Sequence, residues 1–410
     1  MPKTYCPSDA DQVQEIIAWA VSEEHPLEII GAGSKRVLGR PMEDCSILDL
    51  SRLVGLTYYE PSELVLAAWG GTPLSLIESE LGKNSQSLAF EPADYGRILD
   101  GKAGQATIGG LLACNISGPR RIQAGAARDH CLGVVGISGR GEVFKSGGRV
   151  VKNVTGYDLS KLMAGSYGTL AVMTEVTFKV LPMPEKIRTV LVFGLDIAEG
   201  ISVLAQASLS DLEPSGLGYL PAAVVSRSAV GYVKELETSV AAIRIEGPAP
   251  SVEARCRALC KMFEGQGAIE ELHGRNSSTL WREIANVEFL GGNGGDLWRL
   301  SVPPSTAADV VDRVRAGLPS SCKTEFIFDW AGGLIWLEIT GAEDAAHTIV
   351  RNSLTAGGGH ATLIKASEEV RRSIPVFQPA SPGLAALNAR VKQGFDPLGL
   401  LNPGRMSAAY

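Results

Sequence analysis

The sequence predicts an α+β fold divided between two domains. Apolar segments with strand and helix spacing alternate from the N-terminal region as far as Leu181. Pro182 and Pro184 interrupt this pattern, and a second set of alternating strands and helices follows them. A turn-rich segment, FDPLGLLNPGR, lies near the end of the sequence. We therefore expect domains over residues 1–182 and 183–370, followed by a C-terminal segment over 371–410.

In the first domain, an amphipathic helix is predicted over 8–24. Val13, Ile16, Ile17 and Ala20 fall on one helical face, and Ser8 or Asp9 is suited to the N-cap. The other expected elements are strands over 27–30, 47–50, 64–68 and 169–181, and helices over 72–81 and 107–115.

The second domain is expected to mix helices and strands in alternation. The predicted helices cover 198–212, 252–264, 305–318 and 345–356, and the predicted strands cover 241–245, 298–302, 323–330 and 334–339. A last helix is predicted over 384–392.

Composition excludes several classes of function. The net charge of −7 argues against nucleic acid, which requires a basic surface. The seven cysteines are odd in number and include no CxxC pair, so we expect reduced thiols and no iron–sulfur cluster. The five histidines show no metal-ligand spacing, and we predict no metal site. Because no apolar run has transmembrane length and the N-terminal region lacks a signal pattern, we expect a cytoplasmic protein without a membrane span.

Glycines recur among short polar residues from Gly101 to Glu175. Glycine lets the backbone approach a ligand because it carries no Cβ. We therefore expect this stretch to lie against a flat polar ligand and not to contribute to a hydrophobic core.

Two segments have the character of anion sites. Gly31–Arg36 (GAGSKR) follows a predicted strand, and its backbone N–H groups are suited to a nest for phosphate. Arginine stands where a dinucleotide fingerprint needs its third glycine, which argues against a doubly wound nucleotide domain. Thr107–Gly110 opens a short helix, with Asn115, Ser117 and Gly118 beyond it. A plain turn and an ordinary helix cap are the alternatives for these segments.

A third polar group follows the glycine pair at 147–148. It consists of Lys152, Asn153, Tyr157 and Asp158, which are suited to facing a ligand ring or its substrate. An exposed loop is the alternative, since lysine is usually solvated.

Several of these segments together resemble a known family. TIGGLLACNISGPRR, RDHCLGV, VVKNVTGYDLSKLMAGSYGTLAVMTEVTFKV and the tail FDPLGLLNPGR resemble the FAD-binding domain of the vanillyl-alcohol-oxidase and p-cresol-methylhydroxylase (PCMH) type. The resemblance implies a two-part FAD-binding domain, an α+β cap domain and a C-terminal segment that returns to the flavin.

The resemblance also assigns roles to individual residues. The loop that begins at Gly31 would hold the pyrophosphate. The short helix that begins at Thr107, with the residues after it, would line the phosphate and ribityl chain. The polar group that follows the glycine pair at 147–148 would lie toward the flavin ring. Arg128 and Asp129 would shape the loop near the flavin, Val172 would contact the adenosine by its backbone, and Asn402 and Arg405 would close over the pyrimidine end. The full implied set is Gly31, Ala32, Gly33, Ser34, Lys35, Thr107, Ile108, Gly109, Gly110, Asn115, Ser117, Gly118, Arg128, Asp129, Lys152, Asn153, Tyr157, Asp158, Val172, Asn402 and Arg405.

Within that family, GYDLSKLMAGSYGTL and EFIFDWAGGLIW look most like the FAD-binding E-type subunits of bacterial glycolate oxidases. This implies a noncovalent FAD subunit beside a catalytic FAD subunit and an iron–sulfur subunit. The complex would oxidise a small 2-hydroxy acid, glycolate to glyoxylate. Any peripheral association of this chain with a membrane would occur through the complex.

The sequence departs from the catalytic members of the family at two places. DWAGG, at residues 329–333, stands where they carry a histidine-rich motif, and the segment around His360 replaces their Glu-His-Gly. Family members that bind FAD covalently use a histidine in the first loop and a cysteine near the short helix. The loop GAGSKR lacks that histidine, and GQATIGG lacks that cysteine. Two alternatives remain open: a stand-alone oxidoreductase acting through Lys152, Tyr157 and Trp330, and a structural subunit that keeps the flavin fold only for assembly.

Overall fold

The computed structural model of the chain describes residues 3–99, 103–149, 156–292, 294–354 and 358–409. It contains two compact units. The first unit comprises Met1–Ser117, Gly125–Met183 and Pro375–Tyr410, and the second comprises Gly118–Ala124 and Pro184–Ile374. The short segment Gly118–Ala124, expected in the first domain, therefore groups with the second unit.

The first unit is built on a small parallel sheet and a larger antiparallel sheet. The sheets have the orders β1-β3-β2 and β4-β5-β9-β7-β8, and β10 pairs with β6. The elements in chain order, of which α4 groups with the second unit, are β1 (Thr4–Tyr5), α1 (Ala10–Ser22), β2 (Leu27–Ile30), β3 (Ser46–Asp49), β4 (Leu56–Glu60), β5 (Val65–Trp69), α2 (Leu74–Gly82), β6 (Gln86–Ser87), α3 (Ile108–Cys114), α4 (Arg121–Ala124), α5 (Ala127–His130), β7 (Cys131–Ser138), β8 (Val143–Gly147), α6 (Leu159–Met163), β9 (Ala171–Lys179) and β10 (Leu181–Pro182).

Helix α1 confirms the amphipathic prediction. The Asp9 carboxylate accepts a hydrogen bond from the backbone N–H of Gln12 at 2.9 Å, which satisfies one of the free donors of the first turn. The apolar face predicted for this helix is buried against Leu27 and Leu48, the inward residues of β2 and β3. This packing fixes β2, the strand that leads into the first glycine loop.

The expectation that residues 101–175 do not contribute to a core is wrong for β7. This eight-residue strand lies between β9 and β8, and its Val134 and Ile137 are buried. Its glycines serve strand packing: a Cβ on Gly133 would lie 2.8 Å from the backbone nitrogen of Gly148. Close approach of neighbouring strands, and not a ligand, therefore accounts for glycine at this position.

The second unit is organised around one eight-stranded antiparallel sheet. The strand order is β14-β11-β13-β12-β16-β17-β15-β18. Its elements are β11 (Lys186–Phe193), α7 (Ile197–Leu209), β12 (Gly216–Leu220), α8 (Ala222–Val225), α9 (Gly231–Lys234), β13 (Val240–Gly247), α10 (Ala249–Met262), β14 (Ala268–His273), α11 (Gly274–Ala285), β15 (Asp296–Ser301), α12 (Ala307–Gly317), β16 (Lys323–Asp329), β17 (Leu334–Thr340), α13 (His347–Asn352), β18 (His360–Lys365) and α14 (Glu368–Ser373). No helix among the described residues is both long enough and apolar enough to cross a membrane.

The C-terminal segment returns to the first unit through helix α15 (Pro382–Phe395). Lys392 is almost fully buried, and its ammonium donates to the Asp396 carboxylate at 2.6 Å and to the Thr169 carbonyl at 2.7 Å. Asp396 also accepts the backbone N–H groups of Leu400 and Leu401. This buried ion pair therefore holds the turn that follows α15 against the start of β9.

We expect Asp396→Ala to lower the free energy of unfolding by about 3–5 kcal/mol, because it leaves the buried Lys392 charge uncompensated. Urea denaturation followed by circular dichroism measures the change. Lys83→Ala is the control: it breaks the exposed Lys83–Glu80 pair and should change stability by less than about 1 kcal/mol. Equal effects of the two substitutions would contradict the role given to the buried pair.

Candidate functional site

The first unit contains an open cleft, whose empty space of about 660 Å³ is continuous with solvent. The end of β2, the following glycine loop, the first turns of α3, the start of β9 and the C-terminal tail form its walls. The lining residues are Ile29, Ile30, Gly31, Ala32, Gly33, Ser34, Lys35, Arg36, Leu50, Gly70, Thr107, Gly109, Gly110, Ala113, Cys114, Tyr167, Gly168, Ala171, Met173, Asn402 and Arg405.

The loop Gly31–Arg36 lies directly against the first turn of α3. A Cβ on Gly31 would come within 2.3 Å of the Thr107 hydroxyl oxygen, so this position admits no side chain without a shift. Gly33 has a φ of +76°, in the left-handed region that glycine tolerates. The two glycines thus allow the loop to follow the helix terminus and leave its backbone on the wall of the cleft.

Thr107 is the N-cap of α3. Its hydroxyl accepts a hydrogen bond from the backbone N–H of Gly110 at 3.3 Å, so the cap that sequence analysis left as an alternative is present. Gly109 lines the cleft and also packs on the chain beneath it, since a Cβ there would lie 2.7 Å from the Gly70 carbonyl oxygen. Ile108 does not line the cleft, because its side chain is fully buried in the core.

Lys35 places a buried ammonium group at the cleft. Its side chain donates to the Ser34 hydroxyl at 3.4 Å, and the residue is only 9% exposed. Burial lowers the pKa of Lys35, although Cys114 and Asp94 act in the opposite direction. Arg36, the neighbouring cation, is instead paired with Glu28, its Nε donating to Oε1 at 2.7 Å. Lys35 is therefore the better placed of the two cations for an anionic ligand.

The C-terminal tail fixes two walls of the cleft through its side chains. The Asn402 carboxamide accepts from the Ile29 backbone N–H and donates to the Tyr167 carbonyl, each at 2.7 Å. Arg405 donates to the carbonyl oxygens of Leu38 at 3.2 Å and Lys35 at 2.7 Å. The resemblance assigns Asn402 and Arg405 to the flavin. In the structure both line the cleft, and these hydrogen bonds also order the glycine loop and the turn at Tyr167.

Residues assigned to the ribityl region, and Asp129, assigned to shaping the loop near the flavin, make hydrogen bonds to backbone outside this cleft. The Asn115 side chain accepts from the backbone N–H of Arg128 at 3.0 Å, and the Ser117 hydroxyl accepts from that of Ala127 at 2.9 Å. Asp129 accepts from the Ala126 N–H at 2.8 Å. These side chains join the end of α3 to α5, which explains their polar character without a ligand.

Of the four residues assigned to the ring end, the structure describes Tyr157 and Asp158. Tyr157 is 90% exposed, and Asp158 accepts a hydrogen bond from the Ser160 hydroxyl. Lys152 and Asn153 lie outside the described residues. Val172 is fully buried in the core, whereas its neighbours Ala171 and Met173 line the cleft, as strand alternation requires.

Gly118 and Trp330 both belong to the second unit. The Trp330 indole N–H donates to the Gly118 carbonyl at 3.2 Å. That contact gives Gly118 a structural role that its place in the sequence motif did not indicate. Among the residues that the structure describes, no group of three or more histidine, cysteine, aspartate or glutamate side chains is arranged to hold a metal ion.

Sequence reasoning missed several residues of the cleft. Ala113 and Cys114 follow the recognised helix start on the same helix, and Tyr167 and Gly168 form a turn before β9. Gly165 and Gly168 of this turn have φ of +82° and +70°, which glycine tolerates, and their clustering in the sequence was the available signal. The apolar members Leu50 and Met173 carried no signal that separates them from core residues.

Comparison with known proteins identifies the class of ligand. The family described as "FAD binding domain" matches residues 2–147, which include the loop and helix at the cleft. In fold, p-cresol methylhydroxylase has a TM-score of 0.72 at 14% identity, covering 99% of this chain and 89% of that one. An alkyldihydroxyacetonephosphate synthase has a TM-score of 0.71 at 16% identity, covering 98% and 76%. The fold is therefore PCMH-type, and the chain is an FAD-dependent oxidoreductase.

Two curated relatives define the family more narrowly. The glycolate oxidase subunit GlcE of Escherichia coli (strain K12) is 37% identical over 96% of both chains. The glycolate oxidase subunit GlcD of Bacillus subtilis (strain 168) is 27% identical over 98% of this chain and 88% of its own. This chain belongs to the family of the glycolate oxidase subunit GlcE.

The residues of the cleft fit a dinucleotide such as FAD. Gly31 and Gly33 present backbone without side chains, and Gly109 and Gly110 at the start of α3 line the same cleft without side chains. Lys35 supplies a buried positive charge, which is costly unless an anion compensates it. The phosphate oxygens of FAD would provide that compensation.

We expect Gly31→Ala to weaken FAD binding by at least about tenfold, corresponding to about 1.4 kcal/mol. The new methyl group would meet the Thr107 hydroxyl and displace the loop from the start of α3. Fluorescence titration of apoprotein with FAD measures the dissociation constant. Gly82→Ala, at an exposed helix end with nothing within 4 Å of the new carbon, is the matched control. Unchanged affinity of Gly31→Ala would contradict this role of the loop.

Proposed function

We propose that this chain is the noncovalent FAD-binding subunit of a glycolate-oxidase-type complex. The complex oxidises a small 2-hydroxy acid, glycolate to glyoxylate, and this subunit exchanges electrons with a partner flavin subunit and an iron–sulfur subunit. The observation that carries the proposal is 37% identity to GlcE along 96% of both chains. The glycine-lined cleft with its buried lysine supports the same conclusion.

The pyrophosphate of FAD would be held at Gly31–Lys35. The backbone N–H groups of this loop provide donors, and the Lys35 ammonium provides a charge-assisted hydrogen bond. Thr107 to Gly110 would contribute the positive end of the α3 dipole. Bound FAD supplies the electron transfer, while these residues position it and neutralise its phosphates.

The side chains that line the cleft favour noncovalent binding of FAD. Among the described residues that line the cleft there is no histidine, and the one thiol belongs to Cys114. Burial raises the pKa of Cys114, so it is held as a neutral thiol, which is a poor nucleophile. We therefore propose that the flavin is retained by noncovalent contacts alone.

The proposed subunit works in the cytoplasm and reaches a membrane only through its partners. GlcE is named as a subunit, and the described part of this chain contains no helix suited to span a bilayer. The acidic net charge of −7 supports protein and small-molecule partners over nucleic acid.

Reconstitution with the partner flavin and iron–sulfur subunits tests the proposal. The isolated chain should be yellow, should release free FAD in acid and should not turn over glycolate with a dye acceptor. The assembled complex should reduce the dye when glycolate is added. Rapid glycolate turnover by the isolated chain would contradict the subunit role, and a chain that stays colourless with added FAD would contradict the cofactor.

A lysine variant separates cofactor binding from assembly. Lys35→Gln should weaken FAD binding by about 10–100-fold, because a hydrogen bond to a charged group contributes about 1.5–3 kcal/mol. It should still assemble in a pull-down, but complex activity should fall with flavin content. The matched control is Lys83→Gln, at an exposed position, which should retain FAD binding and complex activity. Full complex activity in a flavin-free Lys35→Gln assembly would favour a purely structural subunit.

A further inference from the structure

The turn between β16 and β17 holds Trp330 in an unusual backbone conformation. Trp330 and Ala331 have φ of +53° and +57°, in the left-handed region that non-glycine residues rarely occupy. The buried Asp329 carboxylate accepts the Trp330 backbone N–H at 2.7 Å. The indole N–H is also fixed, by its hydrogen bond to Gly118. Such conformations persist where the surroundings impose them, and they concentrate at functional sites.

Two guanidinium groups of the second unit lie over this one indole ring. The central carbon of Arg121 is 4.7 Å from the ring centroid, and that of Arg299 is 5.0 Å away. Cation–π attraction favours each contact, but it does not neutralise either charge. Both arginines also act on His360 of β18, whose pKa is lowered by burial first and then by Arg299 and Arg121. Three nitrogen-rich side chains therefore share one locality.

Arg299 is the guanidinium with unused hydrogen-bonding capacity. Its side chain lies half-buried on β15 and stacks on the Trp330 ring. Among the residues that the structure describes, it makes no side-chain hydrogen bond or ion pair. Arg121 has further interactions and contributes its charge. A guanidinium stacked on an aromatic ring is oriented and partly desolvated, while its planar edge remains able to bind a carboxylate through two hydrogen bonds.

We propose that Arg299, held against Trp330 with Arg121 and His360 nearby, binds the carboxylate of a small organic acid. The planar fork of the Arg299 guanidinium matches the two oxygens of a carboxylate. His360, with its lowered pKa, offers a neutral ring for hydrogen bonding and adds no full charge at neutral pH. This site goes beyond the proposed function and does not rest on it, because it requires neither the flavin nor the partner subunits.

Ligand-observed NMR titration of the full FAD-loaded chain tests this site. The probes are glycolate and acetate, with glycolamide as the uncharged analogue and inorganic phosphate as the competing anion, at constant ionic strength. Glycolate and acetate should bind at one site, and glycolamide should not. Arg299→Gln should weaken carboxylate binding by at least about tenfold, as expected for loss of a charge-assisted pair.

Two further variants separate binding from folding. Arg315→Gln removes another arginine of this unit that lies over an aromatic ring. Its central guanidinium carbon is 4.6 Å from the Phe326 ring centroid, and its loss should leave carboxylate affinity unchanged. Arg299→Lys keeps the charge without the planar fork and should still lose affinity, with circular dichroism and flavin content confirming the fold. Absence of carboxylate binding to the wild-type chain would overturn the proposal. So would wild-type affinity in both Arg299 variants, or Arg299-dependent binding of phosphate alone.

Discussion

The carboxamide of Asn402 is the contact on which the cofactor cleft depends. It accepts from Ile29, at the end of the strand that precedes the glycine loop, and donates to Tyr167, in the turn before β9. Three segments that are distant in sequence meet at this one side chain. The backbone around it reinforces the contact, since Leu27 exchanges hydrogen bonds with Leu400 and Asn402. The tail thus adds a short strand-like bridge beside β2.

The surrounding structure holds this tail in place. The buried Lys392–Asp396 pair fixes the turn after α15, and Arg405 binds two carbonyl oxygens of the segment that contains the glycine loop. Glycines accommodate the tail where it packs closely. A Cβ on Gly168 would lie 2.7 Å from the Asn402 amide nitrogen, and one on Gly139 would meet the Asp396 carboxylate. Loop geometry in the first unit is therefore a consequence of residues near the opposite end of the chain.

Local patterns in the sequence predicted those parts of the fold that local forces determine. The cap and apolar face of α1, the strand Leu27–Ile30 and the short helix opened by Thr107 were all found in this way. The glycine loop was recognised because strand, glycines and cations follow one another within ten residues. In the structure this loop and the start of α3 line one cleft.

Other features depend on tertiary contacts that the sequence does not display. Strand β7 was missed because its two glycines, required by neighbouring strands, interrupt the apolar pattern. Asn115 and Ser117 were assigned to a ligand, and their side chains bind backbone groups of an adjacent segment. Polar side chains near glycines serve loop structure and ligand binding equally well, and only the location of their partners distinguishes the two.

The second unit differs in character from the cofactor cleft. In this unit a strained tryptophan lies against two arginines. A separate anion site on this unit and a flavin site on the first would give the chain two ligand-binding regions. The two regions depend on different residues and can be tested independently.

The central claim is that the tail creates the geometry that binds FAD, and Asn402→Ala tests it most directly. The measurement is the FAD dissociation constant of the folded variant, beside that of Asn388→Ala on the exposed side of α15. Loss of two hydrogen bonds to buried backbone should weaken binding by about tenfold or more in Asn402→Ala, with no change in Asn388→Ala. Wild-type FAD affinity in a folded Asn402→Ala variant would contradict the account.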